Sequence, residues 1–351
     1  FFDALIDLYL EQRQADLALD TAKTLASKSP DKLDVQLALG RTYLAMGDLA
    51  SARSVLTGAT RLAEYDAAMQ VQIARLQQAA GDPDGAAYSV HKALQGRPDD
   101  PTALAQLVDI EIQRGDGEKA NEALGLLMAK HPERVETAQA SASLAMSRGQ
   151  FPAAIAAYRA ALAREESSEN AIALARTYLA ADQAGKAATF LEDWVKTRPA
   201  DISAQKALAE SQFRAGQLKA ARQTYLNVVA VAGDDAPTLN NFANLLLQMN
   251  DPAAQEYAEK ALTESPETPA FADTLGWILV RKGQVDAGLR YLREARLRNP
   301  ENAEIRFHLA YALTKIGRQS EAKEDLQTAL NGSGRLGVNP EVDQLRKELG
   351  I

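Results

Sequence analysis

The chain contains no cysteine, which excludes disulfides, thiolate metal sites and a cysteine nucleophile. That absence leaves the compartment open. Histidine is scarce: His91, His131 and His308 are the only three. None has a carboxylate or second histidine at metal-ligand spacing, so surface or packing roles are expected. The metalloprotease H-E-x-x-H, the hydrolase G-x-S-x-G and the Walker A glycine–lysine pair are missing too. No apolar run approaches the roughly 18 residues a bilayer span needs. Positive charge is in the minority, 39 Lys and Arg against 47 Asp and Glu. A non-specific nucleic-acid binder needs a basic face to displace counterions, so that class is disfavoured. Aromatic and β-branched residues are sparse while alanine abounds, which favours helix over strand.

What the chain has in quantity is itself, repeated. Gly47, Gly81, Gly115 and Gly149 stand 34 residues apart. The series continues through Asp182, Gly216, Met249 or Asn250, Gly283 and Gly317. Pro30, Pro98, Pro132, Pro199, Pro266 and Pro300 close their repeats on the same beat. A small residue recurs at one phase after each turn: Ala18, Ala52, Ala86, Ala120, Ala154, Ala187, Ala221, Ala254, Gly288 and Ala322. Gly40, Ala74, Ala175, Ala209, Ala243, Gly276 and Ala310 share a phase in the preceding segment. Apolar and small residues at three- and four-residue steps predict paired helices, as in 33–46 and 49–62. The small side chains let the two backbones approach closely.

A period of 34, Leu-Gly or Leu-Ala then Tyr in the first helix, and a closing proline resemble the tetratricopeptide repeat, most closely from Leu275-Gly276 to Pro300. The resemblance implies an all-α fold, a right-handed α-α superhelix (TPR solenoid) of about ten helix-turn-helix repeats. The repeats fall near 1–32, 33–66, 67–100, 101–134, 135–167, 168–201, 202–235, 236–268, 269–302 and 303–334. Residues 335–351 are left for a capping helix, read over Pro340–Leu349 and made polar by Arg346, Lys347 and Glu348. The start, Phe1-Phe2-Asp3-Ala4-Leu5, carries no initiating Met and falls about two positions into a first helix. Upstream sequence is therefore expected.

Little in the chain suggests catalysis, and neither a cofactor nor a metal is expected. Gly332-Ser333-Gly334-Arg335-Leu336-Gly337 spells a dinucleotide fingerprint, but a helix precedes it and no βαβ unit surrounds it. It reads as a break before the cap. Asp82-Pro83-Asp84-Gly85 reads as a turn with an N-cap rather than a calcium loop. Glu165-Glu166 and Asp234-Asp235 read as solvated loop acids, and Trp194 as core.

In the resembled family the first helices line an inner face that holds a peptide or protein segment. Carrying that phase across places Asp3, Asp7, Asp34, Leu37, Arg41, Val71 and Arg75 inward early on. Asp109, Glu136, Gln139, Arg176, Lys206 and Glu210 follow in the middle. The late positions form the candidate partner-binding groove: Phe213, Arg214, Asn240, Asn244, Trp277, Arg281, Phe307, Tyr311 and Lys315, with Leu247 beside them. Trp277 and Tyr311 share a phase one repeat apart, and Arg281 and Lys315 lie one helical turn further on. An aromatic with a neighbouring cation suits a polar, acidic or sugar-like ligand. Asp3, Asp34, Asp109, Glu136, Glu210 and Asp273 break up the basic character, against a single strongly charged polymer as partner.

The stretches Pro269–Gly283, Ile305–Leu313 and Asn240–Leu247 resemble the C-terminal end of long bacterial repeat lipoproteins of PEP-CTERM sorting and exopolysaccharide systems. That resemblance implies a scaffold binding other proteins or peptides of a polysaccharide-secretion machine, in the periplasm or anchored to the outer membrane. A cytosolic peptide-binding adaptor or co-chaperone, and the regulatory repeat part of a larger enzyme, are the alternatives. Oligomeric state is left open.

Overall fold

In the computed structural model, residues 2–12, 14–233, 235–332, 336 and 339–351 are described, with backbone alone at 2, 3 and 11. Among them every regular element is a helix. The chain divides into two compact units, Phe1–Ala181 and Asp182–Ile351.

The first unit holds α1 (Phe2–Glu11), α2 (Ala15–Lys28), α3 (Leu33–Ala45), α4 (Leu49–Leu62), α5 (Ala67–Ala79), α6 (Pro83–Gly96), α7 (Pro101–Gln113), α8 (Gly117–Lys130), α9 (Val135–Ser147), α10 (Phe151–Arg164) and α11 (Ser168–Ala180). The second holds α12 (Ala184–Thr197), α13 (Ile202–Arg214), α14 (Leu218–Ala232), α15 (Ala236–Gln248), α16 (Ala254–Glu264), α17 (Pro269–Arg281), α18 (Val285–Arg298), α19 (Ala303–Lys315), α20 (Gln319–Asn331) and α21 (Pro340–Leu349). Within each unit neighbouring helices pack in chain order, as helix-turn-helix repeats require.

The turn series is a backbone device. Gly47, Gly81, Gly115, Gly149, Gly216, Gly283 and Gly317 all take positive φ, between 67° and 81°. Asp182 (57°) and Asn250 (54°) take the same left-handed conformation where glycine is missing. Asn250, not Met249, therefore continues the series. Asn and Asp are the side chains that tolerate this region best.

The small-residue series is the packing device. All ten residues of the second-helix series are buried, nine of the ten alanines and glycines being Ala at 0–3% exposure. At Gly40 an added Cβ would lie 2.9 Å from Leu56 Cδ2. At Gly276 it would lie 3.0 Å from the Gly288 carbonyl oxygen, and at Gly288 2.6 Å from the Gly276 carbonyl oxygen. Backbones α17 and α18 thus touch directly.

Two polar features secure the repeat boundaries. Asp48, Asp66, Asp82, Asp100, Asp116 and Asp201 each cap a helix by accepting from the backbone N–H three residues on. Side chains early in the first helices reach back to the loop carbonyl before them: Gln36 to Pro30, Gln70 to Glu64, Thr137 to His131, Asn170 to Glu165, Gln205 to Pro199 and Arg306 to Pro300. These bonds satisfy loop carbonyls that would otherwise compete with packing.

Trp194 is core, 6% exposed, with Nε1 donating to Asp201 Oδ2 at 2.9 Å. Asp235 caps α15 and also meets Lys206 at 3.0 Å. Asp234, the Asp3 side chain and most of the 332–337 glycine run lie outside the described residues.

Candidate functional site

Repeat phase gives each first helix of the second unit one residue at the same level: Glu210 on α13, Asn244 on α15, Trp277 on α17 and Tyr311 on α19. One turn further on come Arg214, Gln248, Arg281 and Lys315. Five of the nine candidate residues form one cluster, three of them around Trp277. Phe307 sits 6.0 Å from the Trp277 ring centre and Tyr311 stands edge-on to it at 5.1 Å. The Arg281 guanidinium lies 5.3 Å from the same ring, and Lys315 Nζ lies 4.8 Å from the Tyr311 ring. Both cation–ring contacts repeat the predicted pairing one repeat apart.

Two partners in this cluster escape the sequence reading. His308 lies parallel to Trp277 at 4.3 Å. Its Nδ1 is 2.9 Å from Asp273 Oδ2, both side chains being buried. Asp273 and His308 are 35 residues apart, one period plus one, so no spacing motif marks them. The second partner is Glu341 at the start of α21, whose Oε1 accepts from Arg281 Nη1 at 2.5 Å.

These contacts change what the aromatics can do. Trp277 is only 9% exposed and belongs to a cluster with Leu313, Val342 and Leu345. A sugar ring has no flat face of it to stack on. Phe307, expected on the ligand-facing surface, is interior at 2%, because α21 brings Val342, Leu345 and Leu349 onto the same cluster. Tyr311 is half-buried; Arg281 and Lys315 are exposed.

The asparagines form a second group. Asn244 Nδ2 donates to the Asn240 carbonyl at 3.2 Å and to Thr274 Oγ1 at 3.4 Å. Asn240 is buried and its Oδ1 has no partner. Phe213 is half-buried against a cluster containing Phe242, Leu246 and Ile278, with exposed Arg214 next to it. Neither is part of the Trp277 cluster.

Between these groups opens a pocket of about 650 Å³. Asn244, Leu247, Gln248, Asn250, Asp251 and Pro252 form one side, and Trp277, Ile278, Arg281 and Lys282 the other, with Glu341 at its edge. Its lining mixes apolar side chains, among them half-buried Leu247 and exposed Pro252, with amides and charges, a combination that can orient a ligand and receive its apolar part. The first unit has a smaller pocket of about 360 Å³, lined by Leu33, Asp34, Leu37, Arg41, Met69 and Gln72. Three of those are early inward positions.

Electrostatics on the first-helix faces are mixed. Burial pushes the Asp109 carboxyl above its ordinary value, with Ser143 partly offsetting it. The side chain still reaches solvent, so the effect reflects crowding on an open face rather than full enclosure. Asp235 is held below the ordinary value: burial pushes it up, but bonds from Thr238 and the Lys206 ammonium outweigh that. Among the described residues no three His, Asp or Glu side chains converge as metal ligands, and no helix is long and apolar enough to cross a membrane.

Comparison with known proteins bears on all of this. A sequence model described as tetratricopeptide repeat matches residues 9–72, 77–143 and 145–211, and a second of the same description matches 274–335. A protein named cellulose synthase operon protein C, from Xanthomonas axonopodis pv. citri, is 30% identical over 251 residues, covering 71% of this chain. Its namesake from Pseudomonas fluorescens is 27% identical over 80% of the chain. The chain spans only 15% and 24% of those two relatives. A crystal structure of a tetratricopeptide repeat protein from Parabacteroides merdae aligns with a TM-score of 0.51 at 17% identity, over 76% of this chain and 99% of that one.

Proposed function

This chain belongs to the tetratricopeptide repeat family, and from that premise we propose that it is a non-catalytic scaffold whose concave first-helix groove binds segments of other proteins. The observation that carries this reading is the α15–α17 pocket, lined by the ends of two successive first helices, the loop after α15 and Glu341 of α21, and combining apolar side chains with amides and charges. That is the composition of a surface that holds a polypeptide by side-chain pockets and main-chain hydrogen bonds.

The assembly served is a bacterial envelope machine for exopolysaccharide export. Relatives named for a cellulose synthase operon support that placement, as does the resemblance of the late repeats to lipoproteins of PEP-CTERM and exopolysaccharide systems. The compartment is the periplasm or the periplasmic side of the outer membrane.

The test is fractionation and co-purification of the native full-length protein. It should sediment with the envelope and retain proteins of a polysaccharide-secretion machine. Arg281→Glu should release them, and Arg290→Glu, on exposed α18, should not. Recovery in the cytosol, or equal retention by both variants, contradicts the reading.

A further inference from the structure

The C-terminal helix α21 contributes one residue, Glu341, to the edge of the α15–α17 pocket. Glu341 lines it together with Arg281, and the two form an ion pair at 2.5 Å across 60 positions of sequence. The side chains are 39% and 41% exposed. A pair so open to water contributes little net stability, so an outside carboxylate can take the place of Glu341 at small cost. The remaining charges favour such an exchange. Asp251 is engaged by Arg222 at 3.5 Å, while Lys282 Nζ donates to a neutral acceptor, Gln255 Oε1, at 2.7 Å. With Glu341 displaced, Arg281 and Lys282 give the pocket a net positive charge beside the apolar side chains of half-buried Leu247 and exposed Pro252.

We propose that Arg281 anchors a carboxylate of a partner protein's acidic–apolar segment, and that Glu341 is the internal competitor that holds the anchor until the segment arrives. This rests on the binding reading above. The occupant is a polypeptide stretch with an Asp or Glu beside a bulky apolar residue: the carboxylate replaces Glu341 on Arg281, and the apolar side chain packs on Leu247 and Pro252. The exposed Gln248 amide is placed to hydrogen-bond its main chain. Because the competitor belongs to the same chain, the pocket discriminates against weak acidic ligands without closing.

The experiment titrates a fluorescein-labelled blocked pentapeptide, Ala-Leu-Asp-Leu-Ala, and its Asn analogue by anisotropy. The proteins are the unaltered chain, Glu341→Gln, Arg281→Gln and the double variant, with thermal melts confirming that all four fold. Glu341→Gln should bind the Asp peptide about three- to fivefold more tightly, the size of an exposed ion pair. Arg281→Gln should lose the preference for Asp over Asn, and the double variant should match it. Unchanged affinity in Glu341→Gln, with the preference still lost in Arg281→Gln, overturns the competition and leaves the binding reading standing. Equal affinities throughout, or no saturable binding, overturns the acidic–apolar occupant. The binding reading then stands or falls by partner release from Arg281→Glu alone.

Discussion

Gly288→Ala should destabilise the second unit, although the same change in most helices stabilises. Replacing an interior helical glycine by alanine gains about 1 kcal/mol from helix propensity. At Gly288 the new Cβ would sit 2.6 Å from the Gly276 carbonyl oxygen and 2.6 Å from Val280 Cγ2. One of the two obstacles is backbone, which cannot rotate away, so α17 and α18 must separate. Overpacking of this kind costs about 1–3 kcal/mol, and a backbone clash belongs at the upper end. The net expectation is a loss of about 1–2 kcal/mol. Gly125 is the matched control: it lies inside α8, is exposed, and an added Cβ there meets nothing within 4 Å. Gly125→Ala should therefore gain about 1 kcal/mol. Repeat arrays melt by segments, so the assay is urea unfolding of the whole chain followed by hydrogen exchange resolved to α7–α8 and α17–α18. Equal signs for the two substitutions would refute the argument that direct backbone contact sets the helix spacing in this repeat.

Three further outcomes follow from particular atoms. Tyr225→Phe should be neutral or stabilise by up to about 1 kcal/mol in urea unfolding. Its hydroxyl is buried without a partner and burial pushes its pKa far up, while its ring stacks on Phe242 at 5.5 Å. Asp235→Asn should keep the α15 cap yet flatten acid sensitivity. The Asp235 pKa is depressed in the fold, so its stabilisation is fully present above the ordinary carboxylate value of about 4 and is lost as pH falls through the lower folded value; stability profiles from pH 2 to 6 read this directly. Asn250→Gly should stabilise by up to about 1 kcal/mol, since φ of 54° strains any side chain, whereas Gly283→Ala at φ of 81° should cost at least as much.

The repeat architecture was written openly in the sequence because each device is local. A left-handed turn demands glycine or its nearest substitutes, and close helix contact demands alanine or glycine, so both recur at the period. The first-helix phase likewise brought Trp277, Arg281, Tyr311 and Lys315 together. What sequence could not supply is which of these residues the cap would cover. Helix α21 follows the last repeat and breaks the period, so nothing in the spacing foretells Val342 and Leu345 against Trp277 or Glu341 on Arg281. Phe307 therefore moved from the surface to the interior, and Trp277→Ala, attractive as a binding test from sequence, would mainly leave a cavity costing about 3–5 kcal/mol. The Asp273–His308 pair was invisible for the same kind of reason, since it joins different phases of adjacent first helices.

On the proposed reading, the late first-helix face receives the partner. Photo-crosslinking in the native host tests it most directly, with benzoylphenylalanine placed at exposed Gln248 on the pocket rim or at exposed Arg293 on α18. Discrete crosslinks to one or a few envelope proteins are expected from position 248, and none of these from position 293. Crosslinks of equal yield from both positions, or from 293 alone, would contradict it.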